Sequence, residues 1–393
     1  MNLLILSHKP PYPIIDGGCH AMDRFLRDLL KTFPDSKIQY LCIATQKHPF
    51  KANEIPTDLG TNISFSPVEI STRINPLAAF IQLLKNKSYH ISRFRQNTIL
   101  KKIQAITQVD TIDYIFFESI FCGAYINEII QLSNARRILR SHNVEHLIWK
   151  KLASNSKNPL KKWYLNHLSK TLLMFELEFI SKNDHVFAIS PSDDQYFKDK
   201  GIQQVNYIPV SMQGNQSENI RANSICFLGS YNWMPNKEGL LWFTKEVFPT
   251  LQKKHPELMF HVAGSFSEEI QPHLEHKKQI EMHGFVQSSK TFISMHGIFV
   301  APILSGSGVK MKVLEAMSLG APCILSKHAA EGLDLPQIIP VCKNNQEFII
   351  QVSLLLQNER LAQKIGAAGL EYIKENYASG LVSKKIKDIL IKV

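Results

Sequence analysis

The stretch SGSGVKMKVLEAMSLGAP, from Ser305 to Pro322, places glycines, cations and a carboxylate at the start of a helical pattern. Lys312 and Glu315 are three residues apart, so they share one face of that helix. Gly306 and Gly308 precede it, where the first backbone N–H groups have no partner inside the helix. Such an arrangement could bind a pyrophosphate through cations and amides, and a ribose diol through the carboxylate.

A simpler interpretation of the same residues stays open at this stage. Lys312 and Glu315 could form an exposed ion pair worth about 0.2–0.5 kcal/mol, behind a flexible turn. Lys310 is the second candidate cation, and Val309 is a candidate loop contact. An apolar stripe predicts that the helix packs on a core through Val309, Val313, Leu314 and Met317.

Two positions in the N-terminal half could also carry chemistry. Gly17 and Gly18 follow Asp16 just before a helix, so a backbone amide could approach a phosphate there, although the G-x-G-x-x-G fingerprint is absent and a plain turn explains the glycines equally well. His142 follows a strand, where an imidazole could donate to a sugar hydroxyl or take a proton. Its alternative role is local packing or capping of the next helix.

The loop after the first strand of the second half contains Gly229 and Ser230, with a backbone that could lie against a ligand. Asn236 is interpreted as the N-cap of the following helix. The acidic run SPSDD, from Ser190 to Asp194, is assigned to a helix start rather than to a metal. Since H-E-x-x-H patterns are absent, we predict no metal and no cofactor.

Alternating strands and helices must position these residues. NLLIL, KIQYLCIAT, IDYIFFES, ARRILRSHN and DHVFAIS are strand-like in the first half, with helical patterns between them. A polar, turn-rich linker follows Val210, and a second alternating series begins at SICFLGS. This pattern predicts two doubly wound α/β domains, with ligands at the carboxyl ends of the strands.

Composition and charge narrow the class of protein. The chain has 393 residues and a formal net charge of +11, most of which lies between Arg73 and Lys170. A basic region favours an anionic partner, and because no aromatic-interleaved basic motif is present we exclude nucleic acid. The apolar run Leu3–Leu6 is too short for a signal peptide, which predicts a cytoplasmic protein. The six cysteines are widely spaced and predict buried thiols.

The chain resembles the retaining glycosyltransferases of family four, which have the two-domain GT-B fold. The resemblance rests on FLGSYNWMPNKEGLLWF, HVAGS, HGFV, VAPILSGSGVKMKVLEAMSLGAPCILS and AAEGLDL in this order, with PPYPIIDGG and SHNVE in the first half. It implies two Rossmann-like domains facing across a cleft. Their predicted limits are residues 1–207 and 208–375, with a C-terminal helix at about 376–393 that packs back on the first domain.

The resemblance also implies roles for individual residues. Gly17 and Gly18 match the loop that approaches the donor phosphates, and His142 matches the histidine near the donor sugar. Glu315 matches the second glutamate of an E-x7-E motif, which binds the ribose. The donor-binding set is completed by Gly229, Ser230, Phe285 and Val286 beside the base, Gly306, Ser307, Gly308 and Val309, with Lys310 and Lys312 as catalytic cations.

Two departures from the family pattern qualify this assignment. Ser307 occupies the position of the first glutamate of the motif, which matches a subset with a G-S-G-x-x-x-K pattern. Ser230 stands where an arginine is expected, which leaves Lys310 and Lys312 as the cations for the diphosphate.

The resemblance implies transfer of a sugar, of the hexosyltransferase type, from a nucleotide diphosphate donor to an acceptor hydroxyl with retention, in cell-surface polysaccharide or glycolipid synthesis. The expected partners are a nucleotide sugar, a lipid-linked or saccharide acceptor, and an anionic membrane surface at the inner face of the cytoplasmic membrane, contacted through residues 73–170. A nucleotide-sugar 2-epimerase and a non-catalytic GT-B binding protein are the alternatives.

Overall fold

The computed structural model describes residues 1–215, 223–274, 278–306 and 308–391. They form two compact units: unit 1 comprises Met1–Val210 together with the chain from Ser383 onward, and unit 2 comprises Ser211–Val382. The sequence pattern predicts the two junctions a few residues earlier, after residue 207 and near residue 376. Residues 216–222, in the middle of the predicted linker, lie outside the described residues.

Unit 1 is built on a seven-stranded sheet in which all adjacent strands are parallel. Its strands are β1 (Asn2–Ser7), β2 (Lys37–Ala44), β3 (Ile63–Glu69), β4 (Tyr114–Glu118), β5 (Arg136–Ser141), β6 (His185–Ala188) and β7 (Val205–Tyr207). They lie in the order β3-β2-β1-β4-β5-β6-β7. The inner strands are largely apolar, as expected where helices cover both faces of a parallel sheet, but Glu118 in β4 and Arg140 in β5 are polar exceptions. Strand β3 contains Pro67, which an edge position tolerates.

Half of the helices of unit 1, those that begin at Gly17, Pro76, Pro159 and Pro191, start with a capping side chain. The helices of this unit are α1 (Gly17–Thr32), α2 (Pro76–Leu84), α3 (Tyr89–Ser92), α4 (Asn97–Val109), α5 (Ile126–Leu132), α6 (Glu145–Ser154), α7 (Pro159–Ser181) and α8 (Pro191–Asp199). Ser190 caps α8 by accepting a hydrogen bond from Asp193 N at 3.1 Å, with two acidic residues in the first turn. The predicted helix start in SPSDD is therefore confirmed.

Unit 2 repeats the design with a six-stranded parallel sheet in the order β10-β9-β8-β11-β12-β13. Its strands are β8 (Ser224–Leu228), β9 (Met259–Ala263), β10 (Ile280–Gly284), β11 (Ile298–Ala301), β12 (Cys323–Ser326) and β13 (Val341–Cys342). Its helices are α9 (Met234–Trp242), α10 (Phe248–Lys254), α11 (Ser289–Ser294), α12 (Met311–Ser318), α13 (Asn345–Gln357), α14 (Glu359–Tyr377) and α15 (Ser379–Ile391), the last of which runs on into unit 1. A π-helical turn, Phe243–Val247, joins α9 to α10.

Each unit buries its own apolar core, and the two doubly wound Rossmann-like domains are confirmed. The predicted stripe of α12, Val313, Leu314 and Met317, lies in the core of unit 2, with Val309 packed against it. All six cysteines are buried free thiols, as predicted. Among the described residues, no helix combines the length and the apolarity that crossing a bilayer requires.

The strand orders locate one switch point in each sheet. The order reverses between β1 and β4 in unit 1, and between β8 and β11 in unit 2. Ligands of such sheets bind outside the carboxyl ends of the strands at these points. The loops that follow β1, β4 and β5, and those that follow β8 and β11, are therefore the places where a site is expected.

Candidate functional site

The loop between β11 and α12 has a backbone that only glycine adopts easily. Gly306 has φ of +99° and Gly308 has φ of +77°, both in the left-handed region. A Cβ on Gly306 would also lie 3.4 Å from Pro235 Cγ. Lys310 Nζ donates to the Gly308 carbonyl at 2.5 Å, so the Lys310 side chain folds back onto the glycine loop that precedes it. Ser307, between the two glycines, lies outside the described residues.

Lys312 is held at the centre of this region by neutral groups. Its Nζ donates to Asn236 Oδ1 at 2.6 Å and lies 4.6 Å from the centre of the Phe227 ring. Burial, and secondarily the charge of Lys310, lowers the pKa of Lys312 to about 7. Within the described parts of the chain, no carboxylate pairs with Lys312. A buried ammonium without a counter-ion can attract an anion.

Glu315 lies one turn further along α12 and is only 9% exposed. Its Oε1 accepts a hydrogen bond from Ser289 Oγ at 2.6 Å, and Ser289 is the first residue of α11. The carboxylate is therefore held in a defined orientation. Lys312 and Glu315 do not form the exposed ion pair of the simpler interpretation, which is wrong because Glu315 is buried, Lys312 is half-buried, and each side chain has its own partner.

The loop after β8 approaches Lys312 from the other side. A Cβ on Gly229 would lie 3.0 Å from Lys312 Nζ and 3.0 Å from Asn236 Cγ, so a larger residue would displace this pair. Ser230 Oγ donates to Asn232 and accepts from Ser265, both at 2.8 Å. Ser230 thus joins the loop after β8 to the loop after β9.

Asn236 has a different role from the predicted one. Helix α9 begins at Met234, so Asn236 lies inside the helix and does not cap it. Its Nδ2 donates to the Ser230 carbonyl at 2.9 Å, while its Oδ1 accepts from Lys312. The side chain therefore joins the β8 loop to the cation, because the first turn of α9 faces α12.

Phe285 and Val286 follow β10 at the same sheet edge. Phe285 is 62% exposed, and Val286 packs partly against the core. The turn is made by Gly284, whose φ is +65°. An exposed aromatic ring after a strand end can stack on a flat ligand.

The glycine loop of unit 1 is organised by an ion pair. Asp16 caps α1 by accepting from Cys19 N at 2.9 Å, and it also accepts from Lys9 Nζ at 2.6 Å and bonds His48 Nε2 at 3.0 Å. Although burial opposes ionisation, these bonds hold the pKa of Asp16 well below its usual range. A Cβ on Gly18 would lie 2.6 Å from Lys9 Nζ, so this glycine makes room for the lysine, and Gly17 opens the helix beside it.

His142 belongs to a buried cluster at the ends of β4 and β5. Its Nε2 lies 2.6 Å from Glu118 Oε2, and Glu118 also accepts from Arg140 Nη1 at 2.9 Å. Arg140 and Glu118 are each 1% exposed. Burial lowers the pKa of His142, and although burial opposes it, Arg140 holds the pKa of Glu118 below its usual value. A neutral imidazole that donates to a carboxylate follows from these directions.

His8 lies beside this cluster, with its ring 6.5 Å from that of His142. Its Nδ1 is 2.8 Å from the Glu118 carbonyl, and burial lowers the pKa of His8 to about 3. His8 is therefore neutral, donates from Nδ1 and presents Nε2 as an acceptor. Sequence reasoning did not single out His8, Lys9, Glu118 or Arg140; a polar residue inside or just after a buried strand is the signal that could have found them.

Comparisons with known proteins were made against this geometry. Residues 222–358 match the family described as Glycosyl transferases group 1. A Klebsiella pneumoniae protein, the "Uncharacterized 44.6 kDa protein in cps region", is 22% identical and covers 98% of each chain.

Solved structures show the same fold over the whole chain. Anabaena Alr3699/HepE in complex with UDP and glucose aligns with a TM-score of 0.71 at 12% identity, covering 100% of each chain. A mutant of S. aureus TarM, in complex with Fondaparinux, alpha-GlcNAc-glycerol and UDP, aligns with a TM-score of 0.70 at 11% identity, covering 99% of each chain. The fold is that of the GT-B proteins, and the family match in unit 2 supports a glycosyltransferase.

Proposed function

We propose that this protein is a retaining glycosyltransferase that moves a hexose from a nucleotide diphosphate sugar to a hydroxyl of a saccharide or lipid-linked acceptor. The observation that carries the proposal is Lys312, a buried ammonium with neutral partners behind a glycine loop. A diphosphate would supply the missing negative charge. Glu315, on the next turn, would accept hydrogen bonds from the ribose diol.

The chemistry follows from where charge develops. When the bond between the anomeric carbon and the phosphate oxygen breaks, the electron pair stays on the diphosphate. Lys312 and Lys310 would stabilise that charge, together with the amides at the start of α12. We assign the role of base to the leaving phosphate oxygen, which takes the proton of the acceptor hydroxyl as the new glycosidic bond forms on the same face.

The acceptor side is assigned to unit 1. His8 would present Nε2 and His142, whose Nε2 donates to Glu118, would present Nδ1, so hydroxyl groups of a sugar would find two acceptor nitrogens at these strand ends. The relative from a cps region supports a role in cell-surface polysaccharide synthesis. The UDP complexes of the similar structures make uridine the first nucleotide to test.

The donor is tested with a panel of nucleotide sugars. A donor that binds the folded chain raises its melting temperature, and transfer to a saccharide acceptor is then followed by mass spectrometry. The anomeric configuration of the product, read by NMR, tests retention. A sugar epimerised without acceptor would favour the epimerase alternative.

The proposed donor-binding site is tested by Glu315→Gln. We expect loss of measurable donor binding in calorimetry, because the amide replaces an acceptor-only group with one that carries two donors. Glu246→Gln is the matched control, since Glu246 pairs with Lys245 on the surface of unit 2. If the Glu315→Gln variant binds the donor with unchanged affinity, the proposed donor-binding site is wrong.

Membrane association is a separate proposal, carried by α2. None of the residues of this apolar helix is buried, and Leu77, Phe80 and Leu84 are 69%, 55% and 72% exposed. Lys85 and Lys87 follow it directly. An apolar face next to cations fits the interface of an anionic bilayer, where each cation contributes about 1 kcal/mol.

Vesicle flotation tests this surface. We expect the protein to float with phosphatidylglycerol vesicles and not with phosphatidylcholine vesicles, and to lose flotation when Leu77, Phe80 and Leu84 are changed to serine. Val109→Ser, at an apolar position in α4 that is 82% exposed, is the control. Equal flotation of the triple variant would remove α2 from the contact.

A further inference from the structure

Three histidines from separate segments of unit 2 converge beside strands β9 and β10. His261 lies in β9, His283 lies in β10, and His296 lies between α11 and β11. One ring nitrogen of each lies within 4.8 Å of the other two. His261 and His296 are buried, whereas the His283 side chain is 26% exposed. The group is therefore enclosed on the core side and open to solvent at one ligand.

The register of the two strands explains the convergence and adds a carboxylate. Glu281 is paired with His261 across the parallel ladder, and the register shifts between Met282 and Gly284, at His283. Side chains alternate along a strand, so Glu281 and His283 share a face. Glu281 Oε2 lies 3.3 Å from His261 Nδ1, and its Oε1 lies 3.8 Å from His283 Nε2.

The distances suit a small cation with nitrogen ligands. A tetrahedral zinc ion with bonds of about 2.0–2.1 Å keeps its ligand atoms about 3.3 Å apart. His261 Nδ1 and His283 Nε2 are 3.0 Å apart. The rings of His261 and His296 stack with their centroids 3.8 Å apart, and the ligand nitrogen of His296 lies within 4.8 Å of the other two, so the His296 side chain would move closer when an ion binds. Three imidazoles and one carboxylate favour Zn²⁺ over Mg²⁺ or Ca²⁺, which prefer oxygen ligands.

We propose that His261, His283 and His296 bind one Zn²⁺ per chain, with Glu281 as the fourth ligand. The ion would join β10 to the end of α11, whose first residue Ser289 holds Glu315. The site departs from the prediction of no metal, because three histidines far apart in sequence form no recognisable motif. It is independent of the proposed sugar transfer.

The test uses the full-length protein without an affinity tag, treated with a chelator and then titrated with ZnCl₂. We expect one equivalent to bind and the melting temperature to rise with the free zinc concentration. Substituting Co²⁺ should give the visible absorption of a tetrahedral site without a sulfur-to-metal charge-transfer band, which separates this site from binding by the six cysteines.

The key variant is His283→Gln, at the partly exposed ligand, where loss of the fold is least expected. We expect zinc affinity to fall by more than the roughly 10–100-fold caused by losing a group that merely supports a ligand. His255→Gln is the control, because His255 bonds Ser353 elsewhere in unit 2. Melting in excess chelator checks that both variants fold. Zinc affinity of His283→Gln equal to that of the control, or no stoichiometric binding by the parent protein, would overturn the proposal.

Discussion

The strand-end clusters of the two units handle charge in opposite ways. In unit 1, Lys9 faces Asp16, and Arg140 faces Glu118, so each cation has a carboxylate partner. In unit 2, Lys312 has an amide oxygen and an aromatic ring. A cation paired with a carboxylate is held in a fixed geometry. Burial lowers the pKa of a cation that has no such partner, until an anion binds beside it. Under the proposed function, unit 1 would orient neutral groups and unit 2 would receive the negative charge of the donor.

The largest effect is expected from removing a compensating charge in unit 1. Glu118→Gln leaves the Arg140 guanidinium buried without its counter-ion, and we expect the free energy of unfolding to fall by about 3–5 kcal/mol. Urea denaturation measures the loss. Glu178→Gln, which removes the partner of Lys182 on the surface, should cost less than about 1 kcal/mol. Equal losses would mean that burial does not distinguish the two pairs.

Removing the uncompensated cation of unit 2 should have the opposite signature. Lys312→Met keeps the length of the side chain and removes the desolvated charge, so we expect stability to be kept or raised. Turnover should fall about 100-fold or more, because charge stabilisation at the leaving group is lost. Lys245→Met, which removes an exposed charge from the same unit, should keep its activity. A large stability loss without a loss of turnover would reverse the assignment.

The pH dependence of donor binding tests whether Lys312 binds the diphosphate as a cation. The pKa of Lys312 is lowered to about 7, and a bound diphosphate raises it, so binding takes up a proton. Affinity for UDP should therefore weaken as pH rises above about 7, by up to about tenfold per unit until the pKa of the complex is reached. Calorimetry across pH measures this slope. Lys312→Met is the control, because the pH dependence of its affinity for UDP reflects only the ionisation of UDP itself. A pH slope of the parent protein equal to that of the variant would contradict the prediction.

The smallest effect is expected from two glycine-to-alanine variants, which distinguish the cost of backbone strain from the loss of space for the ligand. Alanine at Gly306 or at Gly60 meets a left-handed φ, which costs about 1–2 kcal/mol of stability. Gly60 has open space around it, in unit 1, and its variant should bind the donor normally. Gly306→Ala should lose donor affinity as well as stability. If both variants bind alike in calorimetry, the loop of unit 2 does not approach the ligand.

The sequence by itself determined the architecture and the local chemistry of one loop. Alternating apolar runs and helical patterns predicted both sheets, because burial on two faces leaves a recognisable composition in parallel strands. The glycines and the Lys312–Glu315 spacing marked the loop before α12, because these signals are close together along the chain.

Only the tertiary structure decided which side chains meet. The partners of the candidate residues, Asn236 for Lys312, Ser289 for Glu315 and Glu118 for His142, come from other elements and are 76, 26 and 24 residues away. The histidine group beside β9 and β10 depends on strand pairing and on a register shift. Such contacts are set by sheet order and by helix packing, which no local pattern encodes, and they decide which charges are compensated.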